Sequence, residues 1–482
     1  MTRRDVLRSL AAGWVVVRST ATGGVRFPAQ SATELLIRRG RIVNADGART
    51  ADVRVVGETI AEIGTGLRPG TGARVIEAAG RLIMPGGIDP HTHLHPSFVD
   101  DFTSGSVAAL AGGITTVGTF ATVQQNETMI AAIERLAGRV RTEAIADVIL
   151  HVSAWPPTPE VAASLPDIAA AGQPSFKIYM LRADFGAQLQ NTIRLLEAAR
   201  AAGVVTMVHC EDGALLGAAV RRLQAQNRTT LRDYSASRPV LAEVAATQQI
   251  AALCESTGAP VHIVHLSSAR ALEACKQARA AGAPLFVETR PLYLHLTEEK
   301  MQRPDAPLFV GQPPLRTVAD RTELWRAMID GRIDVLATDH APWRREQKLD
   351  PALSITRLRP GVSDLQFMLP MYFSEGVGKR RLPLPRFVET TSTNAARIFG
   401  LYPKKGVIQV GSDADFAIWD PNRTATVSAE ADHSKSDYSV YEGWNVTGWP
   451  VTTIRRGEVV YDDGRVLGQA GTGRLISRER WR

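Results

Sequence analysis

The chain has 482 residues, of which 44% are hydrophobic and 22% are charged. This balance is that of a globular protein, and the length suits a barrel of about 250 residues with an accessory module. The formal net charge of +7 is spread over many arginines without a long basic run, which argues against a nucleic-acid-binding track. Because no run of about 18 apolar residues occurs, the sequence also excludes a transmembrane helix.

Residues 1–33 form a separate leader. Arg3 and Arg4, followed by the apolar stretch 10–17, are similar to a twin-arginine export signal. Arg18 interrupts this pattern, however, and no small-x-small cleavage site follows it. The sequence therefore leaves two alternatives open, an exported protein and a chain with a disordered leader.

Short alternating segments occur near both ends of the chain. Residues 52–56 and 415–419, for example, alternate apolar and polar side chains and are bounded by turn signals. Neither end contains enough such segments for a stable domain of its own. We therefore predict that residues 34–84 and 402–473 assemble one small composite β-sandwich, followed by a C-terminal tail over 474–482.

Between these ends, residues 85–401 alternate strand-like and helix-like stretches. The candidate buried strands are 148–152, 175–180, 204–209, 260–265, 285–288 and 334–339. Helical stretches such as 192–202 and 241–256 lie between several of them. This alternation predicts an α/β fold, a (β/α)8 TIM-like barrel, whose chemistry lies at the carboxyl ends of its strands.

The stretch 88–94, which carries His91 and His93, follows the apolar run 82–87, and we interpret this stretch as the end of a short buried strand. Residues two apart on a strand point to the same side, so both imidazoles would enter the space at its carboxyl end. Two neutral imidazoles on one face can bind zinc or a similar transition ion. Most His-x-His pairs are incidental, so this interpretation depends on ligand-type residues elsewhere in the chain.

Four further ligand-type residues end predicted barrel strands, namely Lys177, His209, His265 and Asp339. His262 and His265 are three apart, so they face opposite sides of their strand. His265 is nearer the carboxyl end, and we predict that it belongs to the site while His262 is a packed histidine. Taken alone, Lys177 would be a strand-end lysine that reaches solvent, but Phe176 and Ile178 flank it on an apparently buried strand. Asp339 could be a helix N-cap, which is common for an aspartate in such a loop.

The order of five motifs carries a resemblance to a known family. They are Asp-x-His-x-His at 89–93, Phe-Lys at 176–177, Val-His-x-Glu at 208–211, Val-His-Leu-Ser-Ser at 264–268 and Thr-Asp-His-x-Pro at 338–342. The set resembles the amidohydrolase superfamily, in its cyclic amidase branch of hydantoinases, dihydropyrimidinases, allantoinases and dihydroorotases. Stretches that favour the hydantoinase and dihydropyrimidinase members are Asp-Asp-Phe at 100–102, Pro-Pro-Leu-Arg at 313–316 and the segment 437–443.

The resemblance implies a centre of two divalent metal ions, with zinc as the expected metal. The implied ligands are His91, His93, Lys177, His209, His265 and Asp339. An ammonium has no lone pair to offer a metal, so Lys177 would be carboxylated by carbon dioxide and would bridge both ions through its carbamate oxygens. Asp339 would bind the first ion and act as general base toward a metal-bridging hydroxide.

The implied reaction is the metal-dependent hydrolysis of a cyclic amide or imide, of the hydantoin or dihydropyrimidine type, to an N-carbamoyl amino acid. Allantoinase-like or dihydroorotase-like ring opening is an alternative. A non-catalytic scaffold is an alternative of another class, but such relatives typically lose metal ligands and this chain keeps all six. A deaminase or mononuclear amidase is a further alternative, and Lys177 discriminates because deaminases of the superfamily usually lack it.

The substrate side departs from the hydantoinase pattern. Hydantoinases usually carry a tyrosine five residues after the bridging lysine, where it helps to stabilise the oxyanion, and this chain has Arg182 there. Arg182 either replaces that donor, recognises an acidic group on the substrate, or is a surface arginine. Tyr179 lies on the same side of the strand as Lys177 and is a second candidate. Gln312 and Gly361 complete the candidate substrate-binding residues.

Two loops depart from the pattern as well. The segment 361–366 ends in Leu-Gln, closer to allantoinases, and the loop 95–99 is shorter than usual. Because these changes fall on substrate-side loops while every metal position matches, the sequence supports the chemistry more strongly than the specificity. For His340, a hydrogen-bonding role beside the metal ligands and a purely structural role are both open.

The resemblance also implies the partners and the compartment. The substrate is a small molecule, and the tail 437–473 resembles a hydantoinase segment that packs on a neighbouring subunit, which implies a homotetramer or homodimer. Most of the family is cytoplasmic, and export through the leader is the alternative.

Overall fold

Two β-sheets and a series of helices make up the fold in a computed structural model, which describes residues 34–94 and 96–482. The strands are β1 (Glu34–Asn44), β2 (Gly47–Val56), β3 (Thr59–Gly64), β4 (Arg74–Glu77), β5 (Leu82–Pro85), β6 (Gly87–Thr92), β7 (Ile114–Thr122), β8 (Asp147–Ser153), β9 (Ser175–Tyr179), β10 (Val205–His209), β11 (Val261–Ile263), β12 (Leu285–Thr289), β13 (Val335–Leu336), β14 (Phe416–Thr426), β15 (Asn445–Arg455), β16 (Glu458–Asp462) and β17 (Arg465–Val466). The predicted leader lies outside the described residues.

The first sheet is an eight-stranded parallel barrel in the order β6 to β13 along the chain. Its strands are almost entirely buried, as expected for parallel strands covered on both faces. Thr92, at the end of β6, forms a parallel bridge with His340, just beyond β13. The Thr338 amide also donates to the Asp89 carboxylate at 3.2 Å. These contacts bring the first and last strands together, and the barrel prediction is confirmed.

The helices are short and cover the barrel. They are α1 (Phe102–Ala111), α2 (Met129–Glu143), α3 (Pro159–Ala163), α4 (Leu165–Ala170), α5 (Leu189–Ala202), α6 (Gly213–Ala225), α7 (Tyr234–Ser237), α8 (Val240–Thr257), α9 (Ala269–Ala280), α10 (Pro291–His295), α11 (Val318–Asp330), α12 (Arg345–Lys348), α13 (Met368–Tyr372), α14 (Leu384–Val388) and α15 (Asn394–Ile398). In α5, Leu195, Leu196 and Ala199 form the buried face, and Gly203 ends the helix at φ +66°. Within the described ranges, no helix has the length and apolar character needed to cross a membrane.

The second sheet has nine strands and draws on both ends of the chain. β5 pairs with β1 on one side and with β14 on the other, so it joins the N-terminal strands to the C-terminal ones. Strands of both groups bury a common set of apolar side chains, among them Ile37, Val53, Phe416 and Ile454. The prediction that both chain ends assemble one small β-domain is thereby confirmed in the form of a single sheet, and its bounds of 34–84 and 402–473 stay a prediction.

The Pro-Gly-Gly segment separates these two sheets. β5 ends at Pro85 in the composite sheet. A separate strand, β6, then begins the barrel at Gly87. Gly86 lies where a Cβ would approach Thr115 Oγ1 to 2.2 Å, so the chain can pass from one sheet to the other only with glycine there. The strand β7 was not predicted from the sequence.

The C-terminal tail packs against the barrel. Leu475 forms a parallel bridge with Val148 of β8. The buried Arg478 donates from Nη2 to the Leu150 carbonyl at 2.6 Å and to Ser175 Oγ at 2.8 Å. The tail therefore secures two neighbouring barrel strands.

Lys405 links the barrel to the composite sheet. Its ammonium is buried and contacts Asp147, the first residue of β8, at 2.8 Å, and also contacts Asp415, which precedes β14. Burial opposes the charge on Lys405, but Asp147 and Asp415 raise its pKa above the usual value. This buried ion cluster joins elements that are distant in sequence.

We expect Lys405→Met to lower the free energy of unfolding by about 3 kcal/mol or more, because it leaves three buried carboxylates, Asp147, Asp413 and Asp415, without their shared cation. Lys276 is the control, since its side chain is 63% exposed and pairs with the exposed Glu273 at 3.6 Å. Lys276→Met should change stability by about 1 kcal/mol or less. Urea unfolding of both variants measures the difference, and equal midpoints would contradict a linking role for Lys405.

Candidate metal centre

All six predicted metal ligands line one cavity at the carboxyl-end rim of the barrel. The cavity has a volume of about 150 Å³. It is lined by His91, His93, Phe98, Lys177, Tyr179, Leu181, His209, His265, Gln312, Asp339, Ala341, Pro360 and Gly361. The strands β6, β9 and β10 and the segments after β11 and β13 each contribute a ligand, as expected where parallel strands end together.

His91, His93 and Asp339 form the tightest group in the cavity. Asp339 Oδ1 lies 2.9 Å from His93 Nε2 and 3.2 Å from His91 Nε2. The ligand atoms of the three residues lie within 4.8 Å of one another, so they could hold one metal ion. Burial and the neighbouring Lys177 lower the pKa of His91 to about 4, which keeps its imidazole neutral and able to bind a metal.

Glu288, at the end of β12, orients three histidines. Its Oε1 lies 2.8 Å from His91 Nδ1 and accepts the His265 amide at 3.0 Å, and its Oε2 lies 2.9 Å from His262 Nε2. Burial opposes the charge on Glu288, but His91 and His262 hold its pKa well below its usual range. Because the carboxylate accepts from Nδ1, His91 Nε2 is left free to face the cavity.

The same arrangement recurs at His209. Its Nε2 lies 2.7 Å from Glu211 Oε2, and Glu211 in turn accepts from Arg238 Nε at 2.9 Å. Burial opposes the charge on Glu211, whereas Arg238 and His209 hold its pKa at about 2. His209 Nδ1 is therefore the nitrogen available to a metal.

His265 lines the cavity and His262 does not, in agreement with the order of the two on their strand. The His265 and His209 rings meet edge to face with centroids 4.5 Å apart. Among the described residues His265 Nδ1 has no hydrogen-bond partner. His265 and Asp339 have positive φ angles of +40° and +49°, and such strained backbone is often retained where a side chain must point into a functional site.

Lys177 is 1% exposed, and its Nζ has no hydrogen-bond partner within the described part of the chain. The amine lies over the Phe120 ring at 5.1 Å and the Tyr179 ring at 5.4 Å. Burial lowers the pKa of Lys177 to about 8. An unpartnered buried amine fits a group that is modified or that binds an ion, and it does not fit a lysine that reaches solvent.

Phe120, which was not predicted from the sequence, packs against two histidines of the site. Its ring centroid lies 5.1 Å from that of His91 and 5.0 Å from that of His93. It also contacts His151, whose imidazole bonds to the Pro90 carbonyl at 2.8 Å. Its position in β7, a strand without any ligand motif, explains why no sequence signal pointed to it.

The candidate substrate residues separate into two groups. Tyr179, Gln312 and Gly361 line the cavity, and burial raises the pKa of Tyr179, so its hydroxyl stays protonated. Arg182 is not among the lining residues. Its side chain is 47% exposed, lies over the Trp155 ring at 5.0 Å and pairs with Asp184 at 3.7 Å.

Lys348 holds the two substrate-side loops together. Its buried ammonium donates to the carbonyls of Val310 and Arg359 at 2.8 Å and of Gly361 at 2.9 Å. Gly361 has φ +114°, and a Cβ there would lie 2.3 Å from the Ala341 carbonyl oxygen. The loops that carry Gln312 and Gly361 are therefore fixed relative to each other.

His340 supports the centre through its backbone and its ring. Its carbonyl accepts the His93 amide at 2.7 Å, its Nε2 lies 2.9 Å from Asp100 Oδ2, and its Nδ1 accepts the Asp364 amide at 3.3 Å. Burial opposes protonation of His340, whereas Asp100 raises its pKa. His340 thus joins β6 to the loop after β13 and does not line the cavity.

Asp339 is held as an anion. Burial opposes its charge, but Arg290 and His91 hold the pKa of Asp339 well below its usual range. The donor set of imidazoles, a buried amine and an anionic carboxylate fits divalent transition ions such as zinc. The side chains of the described residues thus fit a metal centre.

Comparisons with known proteins agree with this geometry. The model of the Amidohydrolase family matches residues 82–460. A D-hydantoinase from Ralstonia pickettii is 34% identical over 93% of this chain and 100% of its own length. Among solved structures, a D-hydantoinase (dihydropyrimidinase) from Thermus sp. has 34% identity and a TM-score of 0.89, covering 93% of this chain and 99% of its own. A dihydropyrimidinase from Brevibacillus agri NCHU1002 has 32% identity and a TM-score of 0.89, covering 93% and 100%. This chain belongs to the amidohydrolase family.

Proposed function

We propose that this protein is a metal-dependent cyclic amidase that opens rings of the hydantoin or dihydropyrimidine type. Water adds to a ring carbonyl, the C–N bond breaks, and the product is an N-carbamoyl amino acid. The observation that carries the proposal is that all six expected ligand side chains line one cavity. The names and the coverage of the hydantoinase and dihydropyrimidinase relatives support the substrate class.

The proposal includes two divalent ions, with zinc as the expected metal. His91 and His93 would hold the first ion, and His209 and His265 would hold the second. Asp339 would add a carboxylate to the first, and Lys177 would bridge both as a carbamate. When bound, such ions lower the pKa of water toward about 7 and polarise a carbonyl oxygen.

The surroundings of Lys177 support its carboxylation. Carbon dioxide reacts with a neutral amine, so that the new N–C bond forms as the amine loses a proton. A pKa of about 8 leaves an appreciable neutral fraction near physiological pH. Buried Nζ makes no competing hydrogen bond among the described residues. The aromatic faces of Phe120 and Tyr179 would shield the carbamate from water.

Asp339 is proposed to move the proton. It would take a proton from the attacking water and deliver it to the ring nitrogen as the C–N bond breaks. Without that delivery the nitrogen would have to leave as an anion, which is unfavourable. Asp339 is anionic in the resting site and lies beside His91 and His93, which supports this role.

Tyr179 is the proposed donor to the developing oxyanion. It lines the cavity beside Lys177, and its hydroxyl is protonated. Arg182 forms an ion pair with Asp184 and lies over the Trp155 ring, and it does not line the cavity. These contacts support a position for Arg182 at the rim of the cavity. Gln312 is proposed to hydrogen-bond the ring.

The proposal also includes self-association into a homotetramer or homodimer. The tail 437–473 is the segment that resembles a subunit-packing element. Within it, Val466 and Leu467 are 37% and 46% exposed, and such apolar side chains support packing against a neighbouring subunit.

The zinc-loaded protein should open dihydrouracil or a 5-substituted hydantoin faster than allantoin or dihydroorotate, measured by the loss of ring absorbance.

We expect Asp339→Asn to lower kcat by about 100- to 10,000-fold, because it removes the base. Asparagine tolerates the positive φ at this position, so the variant changes charge and not backbone. Asp330→Asn, at an exposed helix end, is the control. If the protein opened only allantoin or only dihydroorotate, that ring would be its substrate in place of the proposed class. If it opened none of the rings, the proposed function would be rejected.

The apoprotein should take up about two zinc ions per chain only when bicarbonate is present, because the carbamate requires carbon dioxide. Lys177→Met should bind fewer ions and show no response to bicarbonate. Lys276→Met, an exposed lysine of α9, should behave like the wild type. Metal analysis after gel filtration measures the stoichiometry. Two zinc ions in Lys177→Met, or uptake without bicarbonate, would contradict carboxylation.

Tyr179→Phe should lower kcat by about 100-fold, the usual loss for one oxyanion donor. Arg182→Met should leave turnover of a neutral ring nearly unchanged, because Arg182 does not line the cavity. Tyr402→Phe, beside Arg397, controls for the loss of a tyrosine hydroxyl. Steady-state kinetics decide which residue is the oxyanion donor. A larger loss of kcat in Arg182→Met than in Tyr179→Phe would assign that role to Arg182.

A further inference from the structure

Arg290 is a buried cation directly behind the candidate centre. It follows β12 at the rim of the barrel, and its side chain is 0% exposed. It does not line the cavity, so it is placed to act on site residues and not on a substrate. A lone buried guanidinium would be strongly unfavourable, so its partners explain its presence.

The Arg290 guanidinium holds two groups of one loop. Its Nε donates to the Thr338 carbonyl at 2.9 Å, and its Nη1 pairs with Asp339 Oδ2 at 2.9 Å. The other oxygen, Asp339 Oδ1, lies beside the imidazoles of His91 and His93. Each oxygen of Asp339 therefore has its own partner, and rotation of the carboxylate would break the ion pair.

Asp364 completes the arrangement from the opposite loop. Its Oδ2 lies 3.6 Å from Arg290 Nη2, and both side chains are fully buried. Gly311 leaves room for the guanidinium, since a Cβ there would lie 3.2 Å from Nη1. This second carboxylate helps to hold the Arg290 guanidinium in its orientation, because Arg290 then faces two anions on adjacent loops.

We propose that Arg290, held by Asp364, is a positioning residue that fixes Asp339 with Oδ1 toward His91 and His93. The inference rests on the proposed function, in which Asp339 is the general base. Asp339 has a left-handed backbone, so its side-chain direction is set by its contacts and not by a regular strand or helix. A displacement of about 1 Å can lower a rate about 100-fold.

The test compares Arg290→Met, Arg290→Lys and, as a matched control, Arg478→Met. Arg478 is also a buried arginine, but it contacts Leu150 and Ser175, away from the cavity lining. Three quantities are measured for each protein: kcat and KM for ring opening, zinc retention against a chelator, and the orientation of Asp339 in a crystal structure of the apoprotein. Thermal unfolding reports any general loss of stability.

We expect Arg290→Met to lower kcat by about 100-fold with KM little changed. Zinc should be held about 10- to 100-fold more weakly, and Asp339 should leave the orientation toward His93. Arg290→Lys should recover about tenfold of the lost kcat, because an ammonium supplies the charge but not the separate Nε donor to the Thr338 carbonyl. Arg478→Met should lower stability without these changes. Unchanged kcat, zinc retention and Asp339 orientation in Arg290→Met would overturn the proposal, as would equal losses in all three variants.

The outcomes separate this inference from the proposed function. If the wild type opens none of the rings, the proposed function fails, and zinc retention and the crystal structures still decide the role of Arg290. If the wild type also binds no metal, the orientation of Asp339 in crystal structures of the apoproteins is the measurement that decides the role of Arg290. If Arg290→Met does not fold, the comparison of Arg290→Lys with Arg478→Met provides the same decision.

Discussion

The site depends on contact between the first and last strands of the barrel. Thr92 bridges to His340, and the His93 amide donates to the His340 carbonyl at 2.7 Å. This contact sets the distance between His93 and Asp339, residues that are far apart in sequence. Had the sheet stayed open at this seam, the imidazoles of β6 and the carboxylate beyond β13 could not share an ion.

Buried charge is compensated locally around this seam. Glu288 and Glu211 each accept from an imidazole nitrogen that faces away from the cavity, while Arg238 and Arg290 supply the cations that keep Glu211 and Asp339 ionised. The result is a set of neutral imidazoles whose free nitrogens face a common space. The fixed charges behind the ligands thus prepare the donor atoms before any ion arrives.

Much of this centre is predictable from the sequence, because ligand residues at the ends of apolar runs must meet at one rim of a parallel barrel. That reasoning located His209 and Lys177. It could not locate Phe120 or Arg290, since their importance arises from packing across the barrel and no local pattern marks them.

The position of β5 between β1 and β14 has a consequence for biosynthesis. The N-terminal strands, including β1, emerge from the ribosome first. The other partner of β5, the strand β14, emerges only after the entire barrel has been made. Until then one side of β5 offers unpaired backbone groups. The nascent chain must therefore protect an open strand edge throughout barrel synthesis, and completion of the sheet is a late folding event that joins β5 to the C-terminal strands.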